Sequence, residues 1–248
     1  PGAGREAWLS GHIPGARYAH LDDDLSSPIQ ANTGRHPLPD SEKFAAFLAK
    51  NGWNSGKLLV AHDEGPNAIA ARLWWLMRYY GQPAALLDGG LAAWKAAGFE
   101  LDQGDVPITP AEVCVLEEFS EQVLSTADVL AGLENLPVLD ARASERFSGE
   151  FENLDTRAGH IPGAINRPFG SNLKMNGRFR DSGELREEYL ELLDSQTPDT
   201  VVHSCGSGVT ACHNLFAMEL AGLRGSRLYA GSWSEWIRDP DRPVATGY

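Results

Sequence analysis

The sequence predicts an α/β fold built twice over: two tandem domains, each a mostly parallel sheet flanked by helices. Short apolar runs bounded by turn residues alternate with segments of helical periodicity along the chain. Such alternation calls for parallel strands, because each helix carries the chain back to the start of the next strand. Two stretches also recur in order. Ser10-Gly11-His12-Ile13-Pro14-Gly15-Ala16 returns as Ala158-Gly159-His160-Ile161-Pro162-Gly163-Ala164, 148 positions later. Leu87 to Trp94 matches Leu228 to Trp236, with Gly89 set on Gly231, 142 positions later. Repeats this far apart are duplicated domains, not solenoid units.

In the first half, Ser41 opens an apolar-periodic run over Phe44, Phe47 and Leu48 that Gly52 stops. Lys57 to Ala61 reads as a strand, Ala68 to Tyr80 as a helix, and Ala85 to Leu87 as a second strand. The stretch Asp102 to Pro110 is rich in Pro, Gly and Asp and has no periodicity, so it reads as a linker continuing toward Glu118. This sets the domains at 1–109 and 119–248, with 110–118 between them. In the second half, Ser125 caps a helix reaching Leu133, Pro137 to Asp140 is a strand, Leu185 to Leu193 is helical, and Val201 and Val202 begin another strand. Leu139-Asp140-Ala141-Arg142 stands 21 residues before His160, whereas 11 residues precede His12. The first domain is therefore expected to lack its first strand within this numbering.

Chemistry concentrates in Thr200-Val201-Val202-His203-Ser204-Cys205-Gly206-Ser207-Gly208-Val209-Thr210-Ala211-Cys212. It reads as strand, glycine loop and helix, with the helix expected from Val209 to Ala221. Cys205 falls in the turn ahead of the helix N-terminus, where unpaired amides and the helix dipole favour an anion and hence a thiolate. Ligands of parallel sheets bind beyond the carboxyl ends of the strands, which is where this turn lies.

The run Cys205-Gly206-Ser207-Gly208-Val209-Thr210 resembles the active-site loop of the rhodanese superfamily, in the form carried by 3-mercaptopyruvate sulfurtransferases. The Gly-His-Ile-Pro-Gly turns resemble that superfamily too, and the likeness extends through both halves. The resemblance implies two rhodanese-like domains, of which the C-terminal one is catalytic. Cys205 would carry sulfur as a persulfide, cradled by Gly206, Ser207, Gly208, Val209 and Thr210. The family's thiosulfate enzymes have basic residues where this chain has Gly206 and Ser207. Family members also hold the substrate carboxylate and keto group with two arginines; Arg146 matches the first and Arg157 is the candidate for the second. Ser207 is a candidate hydrogen-bond donor to substrate, while His36 matches a position reaching across from the first domain and Asp22 is placed beside it. In the first half the position matching Cys205 is Asp63, which cannot carry sulfur, so that domain is expected to be silent. Arg142, beside Asp140, reads as a structural ion pair.

The implied donor is a small molecule, and the implied acceptor is a thiol such as thioredoxin, or cyanide. No cofactor or metal is called for: His203, Cys205, Cys212 and His213 are close in sequence but diverge across the turn, without a standard zinc spacing. A net charge of −13 argues against a nucleic-acid partner. No apolar run is long enough to span a membrane. Three cysteines form no even disulfide framework, which points to a reducing, cytoplasmic setting. A phosphatase of the Cys-x5-Arg kind would need arginine where Ala211 stands. The remaining alternatives are a thiosulfate sulfurtransferase and a non-catalytic rhodanese-type binding module.

Overall fold

A computed structural model describes residues 2–248. The chain forms two compact units. One comprises the residues up to Pro28, Leu38–Phe119 and Met175–Arg178; the other comprises Ile29–Pro37, Ser120–Lys174 and Phe179–Tyr248.

The first unit contains α1 (Ala3–Ser10), α2 (Ser41–Lys50), β1 (Leu59–Ala61), α3 (Ala70–Tyr79), β2 (Ala84–Leu86) and α4 (Gly90–Ala96). Asp40, one residue ahead of the serine that marks the start in sequence, caps α2 by accepting from the amides of Glu42 and Lys43. The helix then buries Phe44, Ala45, Leu48 and Ala49 as a stripe, while Phe47 stays half-buried. α3 is buried on almost every side through Ala71, Trp74, Trp75, Leu76 and Met77, so it reads as a core helix with no polar face. β1 and β2 pair in parallel, Leu59 opposite Ala84. Among the described residues β1 pairs with β2 alone, and its Val60 is 52% exposed. A cavity of about 920 Å³ lies beside it, lined by Trp8, His12, Asp22, Leu59 and Val60 among others.

The second unit contains β3 (Val123–Leu124), α5 (Thr126–Ala131), β4 (Val138–Asp140), α6 (Ser144–Ser148), β5 (Ile165–Asn166), α7 (Ser182–Leu193), β6 (Val202–Ser204), α8 (Ala211–Leu220), β7 (Arg227–Tyr229) and α9 (Ser232–Trp236). Its five strands are all parallel in the order β3-β7-β6-β4-β5, which places β6 in the middle. The chain steps outward from β4 to β5 on one side and from β6 to β7 on the other, so the order reverses between β4 and β6, and the carboxyl ends there are a natural place for a site. Ser125 caps α5 in a reciprocal box with Asp128. One core cluster joins Val129, Val138, Ile161, Val202, Tyr229, Trp233 and Trp236. The repeated turns play one role in both units. His12 Nδ1 lies 2.8 Å from the Trp8 carbonyl with its ring stacked on Trp8, and His160 Nδ1 lies 2.8 Å from the Phe147 carbonyl with its ring stacked on Phe147.

His203 sits mid-sheet on β6, opposite Leu139 and Leu228, and is fully buried. Neither ring nitrogen has a hydrogen-bond partner among the described residues. Burial pushes its pKa down from 6.5 to about 3. The unfolded chain therefore binds a proton that the folded chain refuses between those values, and stability falls as the pH drops through that window. Between pH 7 and pH 5 this one group should remove about 2 kcal/mol. His203→Leu abolishes the effect, so its thermal midpoint should fall several degrees less over that range than the parent's. Equal falls in a calorimetric comparison would show that His203 does not govern this acid sensitivity.

Candidate active site

Cys205 is the first residue beyond β6 and is 2% exposed. The turn is strapped from one side by the start of α9. The Cys205 amide donates to Ser232 Oγ at 3.0 Å, and Ser232 Oγ donates to the Tyr229 carbonyl at 2.9 Å. The amides of Trp233 and Ser234 donate to the carbonyls of Cys205 and Gly206 at 3.0 and 2.9 Å. The carbonyls of Cys205 and Gly206 are thus engaged, whereas most of the amides that follow Cys205 are not. Among the described residues, the main-chain N–H groups of Gly206, Ser207, Val209 and Thr210 have no acceptor. The helix begins at Ala211, two residues later than the sequence pattern suggests, and Thr210 occupies the cap position without a side-chain hydrogen bond. Gly208 explains the late start. Its φ is +75°, and a Cβ there would stand 2.3 Å from the Ala230 carbonyl, so only glycine fits. Cys212 on α8 is buried, its thiol directed at the Gly208 carbonyl at 3.3 Å.

The first unit supplies an internal comparison. Asp63 stands where Cys205 stands in the second, shortly after β1. Its Oδ1 accepts from the amides of Gly65 and Asn67 at 3.0 and 2.9 Å, and its Oδ2 from those of Ile69 and Ala70 at 3.0 and 3.3 Å. Four amides of the turn converge on one anion. The same turn in the second unit offers free amides and a thiol.

A charged cluster borders the Cys205 loop within the second unit. Arg146 on α6 grips Glu152 through Nε and Nη2 at 2.9–3.1 Å and donates from Nη2 to Asp155 Oδ2 at 3.0 Å. Arg35 binds the other oxygen of Asp155 through its Nη1. Burial raises the carboxyl of Glu152, but the amides of Leu154 and Asp155 and the Arg146 guanidinium outweigh it and hold the group below the usual range. Burial pushes Asp155 up, with Arg35 and Arg146 opposing. Arg142 forms the expected structural pair: its Nε and Nη2 fork onto Asp140, both residues are buried, and Nη2 also donates to the Gly159 carbonyl at 2.8 Å.

Of the residues singled out in sequence, His36 reaches the loop, its Nδ1 2.7 Å from Ser207 Oγ. It does so from a segment, Ile29–Pro37, that packs as part of the second unit. Asp22 belongs to the first unit, where it lines the cavity beside β1. Arg157 turns its Nη1 toward the carbonyls of Pro240 and Arg242 at 3.3 and 3.4 Å. Sequence reading missed Arg35, Glu152 and Asp155. For Glu152 and Asp155 the available signal was the run of three carboxylates, Glu150 included, between Arg146 and Arg157. All three cysteines are free. Among the described residues no group of three or more His, Cys, Asp or Glu could hold a metal, and no helix is long and apolar enough to cross a membrane.

A cysteine in the turn between the middle strand of a parallel sheet and the helix that follows, in a chain whose other unit repeats the strand–turn–helix with Asp63 in that place, defines a duplicated α/β class. The chain belongs to the rhodanese family: the rhodanese-like domain matches residues 4–97 and 125–239. It is 48% identical over its whole length to a Pseudomonas aeruginosa protein named "Probable 3-mercaptopyruvate sulfurtransferase", covering 88% of that protein. It is 40% identical over 98% of its length to the Mycobacterium tuberculosis protein named "Putative thiosulfate sulfurtransferase SseB", covering 86% of it. Among solved structures, 3-mercaptopyruvate sulfurtransferase from Leishmania major superposes with a TM-score of 0.86 at 30% identity, across 97% of this chain and 68% of that one.

Proposed function

We propose that the protein takes sulfur from 3-mercaptopyruvate onto Cys205, releases pyruvate, and passes the sulfur to a thiol acceptor such as thioredoxin, or to cyanide. The observation that carries this is the loop in which, among the described residues, the amides of Gly206, Ser207, Val209 and Thr210 lack acceptors, matched in the other unit by amides that close on Asp63. A persulfide is the anion such a loop suits.

The Cys205 thiolate attacks the donor sulfur, and the carbon–sulfur electron pair departs as the enolate of pyruvate, stabilised by the adjacent carbonyl. The donor thiol's proton ends on the methyl carbon, which leaves the persulfide as an anion. Ser207, held by His36, is positioned to hydrogen-bond at the loop mouth. Arg146, 16% exposed at its side chain, is the cation for the donor carboxylate. The acceptor thiolate then attacks the outer sulfur and frees Cys205. No step requires a metal or cofactor, and three free cysteines suit a reducing cytoplasm.

Thiosulfate is the competing donor, because one relative bears that name. The absence of basic side chains at Gly206 and Ser207 favours 3-mercaptopyruvate, since the doubly charged thiosulfate calls for more positive charge at the loop. Incubation with each donor, followed by intact-mass measurement and turnover, tests the reading. One added sulfur on Cys205 and faster turnover of 3-mercaptopyruvate are expected. A preference for thiosulfate would reverse the donor assignment, and no added sulfur from either would reduce the protein to a binding module.

A further inference from the structure

We propose that Ser232 is a positioning residue for the nucleophile: its hydroxyl anchors the Cys205 main chain, and the backbone at position 232 is held in an unfavourable conformation to make that bond. The inference rests on the function proposed above and deepens it by adding a residue to the same site.

Ser232 is fully buried, with a φ of +50°. In that left-handed region a side chain crowds its own backbone, and glycine is the residue that enters it without a steric penalty. Among the described residues two other non-glycines adopt it, Asn67 and Asp194, both of types whose short polar side chains tolerate it. Serine is not one of those types. Such strain persists only where the surroundings over-determine it, and it gathers at functional sites. What holds Ser232 is a bridge: its Oγ accepts from the Cys205 amide at 3.0 Å and donates to the Tyr229 carbonyl at 2.9 Å. The end of β7 is thereby tied to the turn that leaves β6.

The first unit carries the same strap without the hydroxyl. Gly90 stands 142 positions before Ser232, the offset of the repeat, and its φ is +58°. The amides of Leu91 and Ala92 donate to the carbonyls of Asp63 and Glu64 at 2.9 and 3.2 Å, as those of Trp233 and Ser234 donate to Cys205 and Gly206. The Gly90 amide, in place of a hydroxyl, donates to the Leu87 carbonyl at 2.8 Å. A Cβ on Gly90 would stand 2.5 and 2.6 Å from the carbonyl oxygens of Gly65 and Asp63, so this turn has no room for a side chain. Glycine thus supports the turn that holds a carboxylate, and serine supports the turn that holds the thiol. In the second unit the N–H and C=O of Cys205 are fastened by the consecutive residues Ser232 and Trp233, which fixes the peptide planes on both sides of the nucleophile. The free amides of Gly206, Ser207, Val209 and Thr210 remain for an anion. Without the hydroxyl the buried Cys205 amide loses its acceptor, and the turn must shift to find another.

Ser232→Gly and Ser232→Ala in the full chain separate the hydroxyl from the strain. Both should slow sulfur uptake by Cys205 from 3-mercaptopyruvate in a single turnover by about 10- to 100-fold, the scale of a small displacement at the reacting atom, with KM nearly unchanged. Thermal midpoints should diverge: glycine relieves the left-handed backbone and stays near the parent, whereas alanine keeps the strain, loses both hydrogen bonds and melts several degrees lower. Alkylation of Cys205 by iodoacetamide, followed by peptide mass, should slow by a similar factor in both variants, because a displaced turn no longer aims its amides at the sulfur. Labelling of Cys114 should keep the parent rate. Parent rates at Cys205 in both variants overturn the assignment. So does a loss confined to Ser232→Ala, which makes the residue purely structural, or a raised KM at unchanged kcat, which places its effect on donor binding. If the parent takes sulfur from neither donor, the sulfurtransferase reading fails on its own account, while the alkylation rates still decide whether Ser232 positions the thiol.

Discussion

Cys205→Ser is expected to lower sulfur transfer by roughly 10³-fold or more, the scale of loss when a covalent nucleophile is removed. The exchange keeps the size and the hydrogen-bonding capacity of the side chain, so the turn should survive intact. The Cys205 amide still reaches Ser232, and Trp233 still reaches the Cys205 carbonyl, because both bonds are main-chain at position 205. What disappears is chemical. A serine hydroxyl remains protonated at neutral pH and its oxygen cannot hold a sulfur atom as a persulfide. Pyruvate release from 3-mercaptopyruvate should vanish, and no added sulfur should appear at residue 205 by mass. Cys114→Ser, a change at the half-buried cysteine of the first unit, should retain turnover. Substantial activity in Cys205→Ser, or its loss in Cys114→Ser, would move the chemistry elsewhere.

The loop was legible in the sequence because its chemistry is contiguous. Cysteine, glycines and helix start lie within a few residues, and local rules govern such a segment. The parallel sheet was legible for a similar reason, since β6 and α8 are apolar enough to show their period. Elements that escaped notice are short or lack a buried stripe. α6 and α9 have five residues each, too few to display a helical repeat, and α1 buries no residue at all. The cap of α2 was not assigned in sequence, because Asp40 and Ser41 are both good caps and only backbone geometry selects Asp40. The charged cluster is a different matter. Arg35 and Asp155 are 120 positions apart, and no spacing rule connects them. Charge pairs made by tertiary packing become visible only when the fold brings the two segments together.

Arg142→Ala is expected to destabilise the second unit by about 3–5 kcal/mol, a large part of what holds a domain of this size together. The size follows from what is left behind. Asp140 is 1% exposed and takes three side-chain hydrogen bonds from Arg142, so truncation strands a buried carboxylate. The Gly159 carbonyl loses its donor at the same time, and the Trp233 ring loses the guanidinium that lies 4.9 Å from its centre. Gly159 belongs to the turn that positions His160, and Trp233 donates to the Cys205 carbonyl, so both ends of the unit should loosen. Asp140→Ala should cost a similar amount, by stranding the arginine. The double variant should be less damaging than the two single effects added together, because neither charge then remains buried without a partner. Denaturant midpoints of the four proteins check this. Strict additivity would mean that the two side chains act independently, and that the fork between them contributes nothing beyond its separate contacts.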